Sequence, residues 1–196
     1  MKLEKTTLVG TKVKLEPLAQ SHLPGLAEAI TDGALWEVPV TIVPHPQDLP
    51  QFLSNAETAF LAQRELAFVT IDMTSGSIVG STRFRCIDIP HKRVEIGFTF
   101  IAKSWQRTYV NTEAKYLMLR HAFEQWDFNR VEFLTDVLNT KSRNAISRIG
   151  AREEGTLRSH MVMRDGRIRD SVMFSVIGTE WPLVKRSLEV KLDAAT

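Results

Sequence analysis

The chain has 196 residues, 43% of them apolar and 24% charged, with a net charge of +2. That length can bury a sizeable core in a single domain, and a charge so near balance calls for neither nucleic acid nor an anionic membrane as partner. The lone cysteine, Cys86, can make no internal disulfide, no run approaches the roughly 18 apolar residues of a membrane span, and the first ten residues lack a signal-peptide core. The expectation is therefore a soluble, cytoplasmic protein.

Residues 11–18 (TKVKLEPL) alternate apolar Val13 and Leu15 with charged neighbours, the pattern of an edge strand. Ser21 is placed to cap a helix running to about Ile30, with Leu23, Leu26 and Ile30 on one face. Residues 34–50 contain Pro39, Pro44, Pro46 and Pro50, which break any regular element. Ordered loops of this length often border ligand sites, so Trp36 is a candidate to line a substrate pocket. Asp48 or Pro50 opens a second helix to about Arg64, carrying Phe52, Leu53, Ala56, Phe60 and Leu61.

Residues 66–72 and 77–87 read as strands joined by the turn Thr74-Ser75-Gly76, with Cys86 mid-strand as a core thiol. Residues 94–126 hold the strongest chemical signal. A strand rich in β-branched and aromatic residues ends at Ile101 and passes through the polar loop Ser-Trp-Gln-Arg-Thr-Tyr-Val-Asn. A helix then begins near Thr112, capped by Asn111 or Thr112, with Ala114, Leu117, Met118 and Ala122 at helical spacing and Leu119, Phe123 and Trp126 in a row beside them. Such a strand-loop-helix presents N–H groups that have no acceptor inside the helix. With the helix dipole they attract an anion such as a diphosphate. Neither GxxxxGK[ST] nor GxGxxG follows a strand.

Residues 130–138 form a further strand, 139–149 a short helix closed by Gly150, and 153–163 and 168–177 a hairpin across Arg164-Asp165-Gly166. Glu180-Trp181-Pro182 leads into a last helix ending near Leu192. The histidines show no HExxH or paired spacing, which argues against a metal site, and Ser142 lacks the GxSxG elbow of a hydrolase.

The polar loop resembles the acetyl-coenzyme A pyrophosphate loop of the GNAT N-acetyltransferases, [QR]-x-x-G-x-[GA] ahead of a helix that often opens on Thr-Glu-Ala. Gln106 takes the first position, Tyr109 replaces the first glycine and Asn111 the last small residue. The order β-α-α-β-β-β-α-β-α-β-β extends the resemblance over nearly the whole chain. Its details are similar to the RimJ/RimL-like branch: the opening strand, Ile78-Val79-Gly80, Asn139-x-x-Ser142, Gly150-Ala151 with Glu154-Gly155, Asp165-Gly166 with Asp170, and Glu180-Trp181-Pro182.

This resemblance implies a mixed α/β GNAT acyl-CoA N-acyltransferase fold, one central mixed sheet flanked by helices. It implies acetyl-coenzyme A as co-substrate, without a metal. The diphosphate would lie on N–H groups of Arg107, Thr108, Tyr109, Val110, Asn111 and Thr112, beside Gln106. The pantetheine arm would pair with backbone near Phe100 and Ile101, where two strands splay, as an added strand does. Asn139 would help hold the arm or Ser142. Glu95 matches a general base and Ser142 an acid for the departing thiolate, while Phe174 stands where relatives often have tyrosine. The acceptor implied is a small-molecule amine or a protein or peptide N-terminus, with a homodimer left open. Structural readings stand beside these: Trp36 packed on a surface connection, Arg107 solvated, Glu95 in an ion pair, Asn111 and Asn139 as caps only, and Ser142 in a helical first turn. A module that has lost turnover and binds acyl-coenzyme A or a protein partner is the second reading, favoured by Tyr109, Asn111 and Phe174.

Overall fold

The alternation in VKLEP sends Val13 and Leu15 into the core, and the strand it makes, β2 (Val13–Pro17), is flanked by a two-residue strand β1 (Leu8–Val9) and by β3 (Leu66–Asp72). The structure, a computed structural model, describes residues 2–194. Beyond β3 come β4 (Ile78–Asp88), β5 (Arg93–Ile101), β6 (Arg130–Asp136), β7 (Arg152–Val162) and β8 (Ile168–Ile177). These strands join one mixed sheet in the order β1-β2-β3-β4-β5-β6-β8-β7. Helices α1 (Leu23–Thr31), α2 (Leu49–Leu61), α3 (Tyr109–Arg120), α4 (Thr140–Arg148) and α5 (Trp181–Asp193) flank it. No helix among the described residues is long and apolar enough to cross a membrane.

Period-two alternation divides the apolar side chains between two layers. Val94, Ile96 and Ile101 of β5 join Val110, Ala114, Leu117 and Met118 of α3, with Trp181, Val184 and Leu188 of α5, in the larger core. Phe100 points the other way, among Leu26 and Ile30 of α1, Leu49 and Leu53 of α2, and Leu35 and Val43 of the proline-rich loop. His121, at the head of a π-turn (His121–Gln125), packs between Phe84 and Trp126 with ring centroids 6.1 and 4.8 Å away.

The feature that shapes the site is a break in the ladder. β5 and β6 run parallel and pair only at Arg93, Val94 and Glu95 with Arg130, Val131 and Glu132. Past that point β5 bulges: Phe98 takes φ +47°, and the β4–β5 register slips between Ser81 and Arg83. A bulge bends its strand and sharpens the local twist. The far half of β5 thus leaves β6, which stays paired to β8 as far as Asp136.

Three local expectations need correction. The opening strand is not the outermost, because β1 pairs with it. Ser21 does not cap α1. A tight turn (Gln20–His22) absorbs it, His22 takes the cap position, and Pro24 follows within the first turn. Cys86 is not a core thiol: β4 slips register between Arg85 and Asp88, Cys86 takes φ +49°, and its side chain is exposed.

Gly80 shows how close β4 and β5 come beside the gap. A Cβ there would lie 2.1 Å from the Phe100 carbonyl oxygen. Gly80→Ala should cost about 1–3 kcal/mol through forced backbone movement, as overpacked cores do. Urea denaturation at constant m-value is the measurement, and wild-type stability would show that the strand can give way freely.

Candidate active site

The start of α3 is set by Thr108. Its backbone is extended (φ −100°, ψ −172°), and its hydroxyl accepts from the Val110 N–H at 3.3 Å and donates to the Trp105 carbonyl at 2.8 Å. Thr108 is therefore the cap of α3, in place of Asn111 or Thr112, which lie in the first turn. The left-handed residue of the loop is Arg107, at φ +64°, so Tyr109 carries no backbone strain in the glycine position. Its ring turns towards the β2–β3 side: the hydroxyl donates to the Asp72 carboxylate, and the Lys12 ammonium sits 5.0 Å from the ring centroid.

At this helix start lies a pocket of about 280 Å³ lined by Arg107, Thr108, Tyr109, Thr112, Arg148, Lys191 and Leu192. Arg148 donates to the Thr112 hydroxyl at 3.0 Å, and Lys191 donates to the Arg148 carbonyl at 2.6 Å. Arg107, Arg148 and Lys191 thus bring cationic heads to first-turn N–H groups that have no acceptor within the helix, an arrangement suited to a polyanion. Sequence reasoning found Arg107 and missed the other two. Their one signal was a basic residue in the last turn of α4 and of α5, which serves equally to complement a helix dipole.

Along the gap, the Ala102 N–H donates to the Val79 carbonyl at 2.8 Å, which makes the Gly80–Ile101 pair a non-hydrogen-bonded one. Ile101 therefore directs its N–H and C=O away from β4. Its carbonyl accepts from Gln106 Nε2 at 2.9 Å. Phe100 sits in register with Ser81 and turns its carbonyl to β4, so of the two residues Ile101 is the one whose backbone faces the gap. Across the gap, α4 packs on β6 and β8. Asn139 caps α4, accepting from the Ser142 N–H at 3.0 Å and donating to the Val40 carbonyl at 3.4 Å. Ser142 is half-buried in the first turn. Phe174, 1% exposed, belongs to the larger core.

On the other face, Glu95 stands where the β5–β6 pairing ends, beside Glu132 and only 6% exposed. Burial pushes its carboxyl above the ordinary value of 4.5, and the Arg85 guanidinium 3.1 Å away opposes that rise. Glu132 is held by Arg130 at 2.7 Å and Arg93 at 3.5 Å. The bulge residue Phe98 lies under two guanidinium groups, Arg83 at 4.7 Å and Arg85 at 4.8 Å from its ring, and Glu65 joins both arginines.

Over the neighbouring face runs the proline-rich loop. Trp36 packs edge-on against His45 at 5.0 Å, and its carbonyl accepts from Arg164 at 2.7 Å. Arg164 also reaches the Val43 carbonyl at 3.2 Å, and Arg167 binds the Pro39 carbonyl at 3.5 Å and Asp136 at 2.5 Å. The β7–β8 hairpin and the loop thus close an arch beside the gap. The structure gathers Gln106 to Thr112 at one end of the gap, Ile101 and Thr99 along its β5 edge, and Glu95 where it opens. Trp36 lines the arch.

Comparison with known proteins agrees with this architecture. The family model described as acetyltransferase (GNAT) domain matches residues 12–152. The chain is 34% identical over 106 residues to a Bacillus subtilis (strain 168) protein named "Putative ribosomal N-acetyltransferase YdaF", a match covering 54% of this chain and 57% of that protein. A GCN5-related N-acetyltransferase from Brucella melitensis superposes with a TM-score of 0.87 at 30% identity, covering 98% of this chain and 87% of that one. Mycobacterium smegmatis RimJ in complex with CoA-disulfide shares the fold, with a TM-score of 0.83 at 21% identity and 95% of each chain covered. The chain belongs to the GNAT acetyltransferase family.

The buried Glu95 should leave a mark on stability. A carboxyl with a raised native pKa holds its proton in the fold while the unfolded chain has released it, so wild-type stability falls as pH rises from the unfolded value through the native one. Glu95→Gln removes this titration. The stability of wild type relative to the variant should therefore decline across that window in pH-dependent melting, and a flat difference would mean that Glu95 titrates normally.

Proposed function

We propose that the chain is an acetyl-coenzyme A-dependent N-acetyltransferase whose acceptor is a primary amine, on a small molecule or at a protein or peptide N-terminus. The observation that carries this reading is the separation of β5 from β6 beyond Glu95 and Glu132, with a cationic helix start at one end of the gap and a buried carboxylate at the other. A gap with cations at one end and a carboxylate at the other can seat a donor that is polyanionic at one end and reactive at the other.

The residues divide the work as follows. Arg107, Arg148, Lys191 and the first-turn N–H groups of α3 hold the diphosphate. Ile101 offers backbone groups to the arm as one more strand would. Glu95 takes a proton from the acceptor ammonium, directly or through water, and the Arg85 guanidinium 3.1 Å away favours its anionic form against the effect of burial. The freed amine attacks the thioester carbonyl, the C–S bond breaks as the nitrogen gives up its second proton, and the Ser142 hydroxyl is the candidate relay that protonates the thiolate and is reprotonated by the one the nitrogen releases. The arch of residues 34–45 and the β7–β8 hairpin sets which amine reaches Glu95. The ribosomal function in the name of the Bacillus subtilis relative favours a protein N-terminus as the acceptor.

Titration calorimetry with coenzyme A at low salt should give micromolar or tighter binding, about −8 kcal/mol. Arg148→Ala with Lys191→Ala should weaken it and flatten its salt dependence. Silence at millimolar ligand would remove the donor from this reading, and binding without release of coenzyme A across a panel of amines and peptides would leave a binding module.

Glu95→Gln should lower turnover by roughly 10²-fold at neutral pH, with the loss shrinking as rising pH deprotonates the amine unaided. Ser142→Ala should cost about 10- to 10³-fold in turnover while donor affinity stays close to wild type. Initial-rate kinetics decide both roles, and full activity in either variant would return that residue to packing or capping.

A further inference from the structure

Lys115 lies on the inner face of α3 and is 5% exposed. Its ammonium nitrogen is 2.6 Å from the Thr99 hydroxyl and 2.8 Å from the Thr82 hydroxyl, and these two hydroxyls are 2.8 Å apart. Burial alone moves this amine, lowering its pKa to about 7. Lysines ordinarily run their stems along apolar surface and keep the head in water, or pair with a carboxylate when buried. Lys115 has two neutral hydroxyls instead, in a layer shared with Met118 and Leu117. A methionine would fill that layer without the cost of an enclosed amine, so packing does not account for a lysine here.

The two threonines explain the choice. Thr82 sits where the β4–β5 register slips between Ser81 and Arg83. Thr99 directly follows the bulge residue Phe98 and is exposed on the β5 edge, past the last pair that β5 makes with β6. One amine thus ties the two strands together at the break from which the gap opens. Ladder hydrogen bonds are interrupted there, so side-chain bonds must supply the missing restraint.

Resting on the acetyltransferase reading above, we infer that Lys115 is a positioning residue for acetyl transfer. It fixes the β5 bulge and sets the Thr99 hydroxyl at the lip of the gap, so that the donor's arm meets a preformed edge. It touches neither the diphosphate pocket nor the face that holds Glu95.

Lys115→Met keeps the length of the side chain and removes its donors. Its melting temperature at pH 7 should equal or exceed that of wild type, because an enclosed amine has gone. Its kcat/KM for acetyl-coenzyme A should fall about 10- to 10²-fold, as misplacement of a reacting group costs, with the acceptor KM unchanged. Lys115→Gln, whose amide can donate without charge but ends one bond short of the amine, should recover part of that loss. Thr99→Val, at an exposed position, should reproduce the donor defect even if Lys115→Met folds poorly. Wild-type donor kinetics in Lys115→Met, an acceptor KM that rises in step with the donor's, or an unaffected Thr99→Val would each overturn the role. Coenzyme A titration of the wild type separates the two readings: silence there overturns both, whereas binding and turnover with an unaffected Lys115→Met overturn the positioning role alone.

Discussion

The site depends on three residue pairs that hold β5 to β6 and on the absence of a fourth. A parallel ladder that continued past Glu95 and Glu132 would satisfy every backbone group and leave nothing for a ligand to bind. Ending it exposes peptide groups inside a protein, which is costly unless other donors and acceptors replace them. One such replacement is nearby, and other side-chain bonds restrain the two walls. Gln106 takes the Ile101 carbonyl, Lys115 ties Thr82 to Thr99, and Asn139 joins α4 to the loop at Val40. The gap stays open in the free fold because its walls are restrained separately.

Charge reinforces the same boundary. Glu95 and Glu132 meet in register at the last pair, a juxtaposition of like charges that would push the strands apart if left alone. Arg85 answers the first, and Arg130 and Arg93 answer the second. Arg130 is also locked to Glu154, whose carboxyl it holds down at about 2. Each carboxylate therefore has its own cation, and the arginines come from strands on both sides of the opening. Arg83 and Arg85 add apolar contact as well as charge, since both lie over the ring of the bulge residue Phe98.

Much of this was legible in the sequence, and the boundary of what was legible is physical. Element order, the two hairpin turns and the core rows of α3 follow from periodicity and turn chemistry, which are local, whereas Glu95 stands out only through the family resemblance. The bulge at Phe98 is not local, because the register of a strand is set by its neighbours and a shift of one residue reverses its faces. Alternation alone therefore puts Cys86 in the core and cannot distinguish Phe100 from Ile101, which face opposite directions. The sequence points to Asn111 or Thr112 as the cap of α3 because both residue types can cap, and only the extended backbone at Thr108 moves the helix start three residues earlier than Thr112. Arg148 and Lys191 were invisible for a different reason. Each ends its own helix, and only the packing of α4 and α5 brings them to the start of α3.

The arch beside the gap has an implication for how such a protein changes over time. Arg164 and Arg167 grip the loop through the carbonyls of Trp36, Val43 and Pro39, groups that every amino acid supplies in the same place. The course of the loop is thus written in the hairpin and in the buried side chain of Val43, while Glu37, Val38 and Pro39 point their side chains to the surface. Substitutions at those exposed positions can alter what the arch presents while the arch itself keeps its shape. Selectivity can then drift in small steps without passing through an unfolded intermediate sequence.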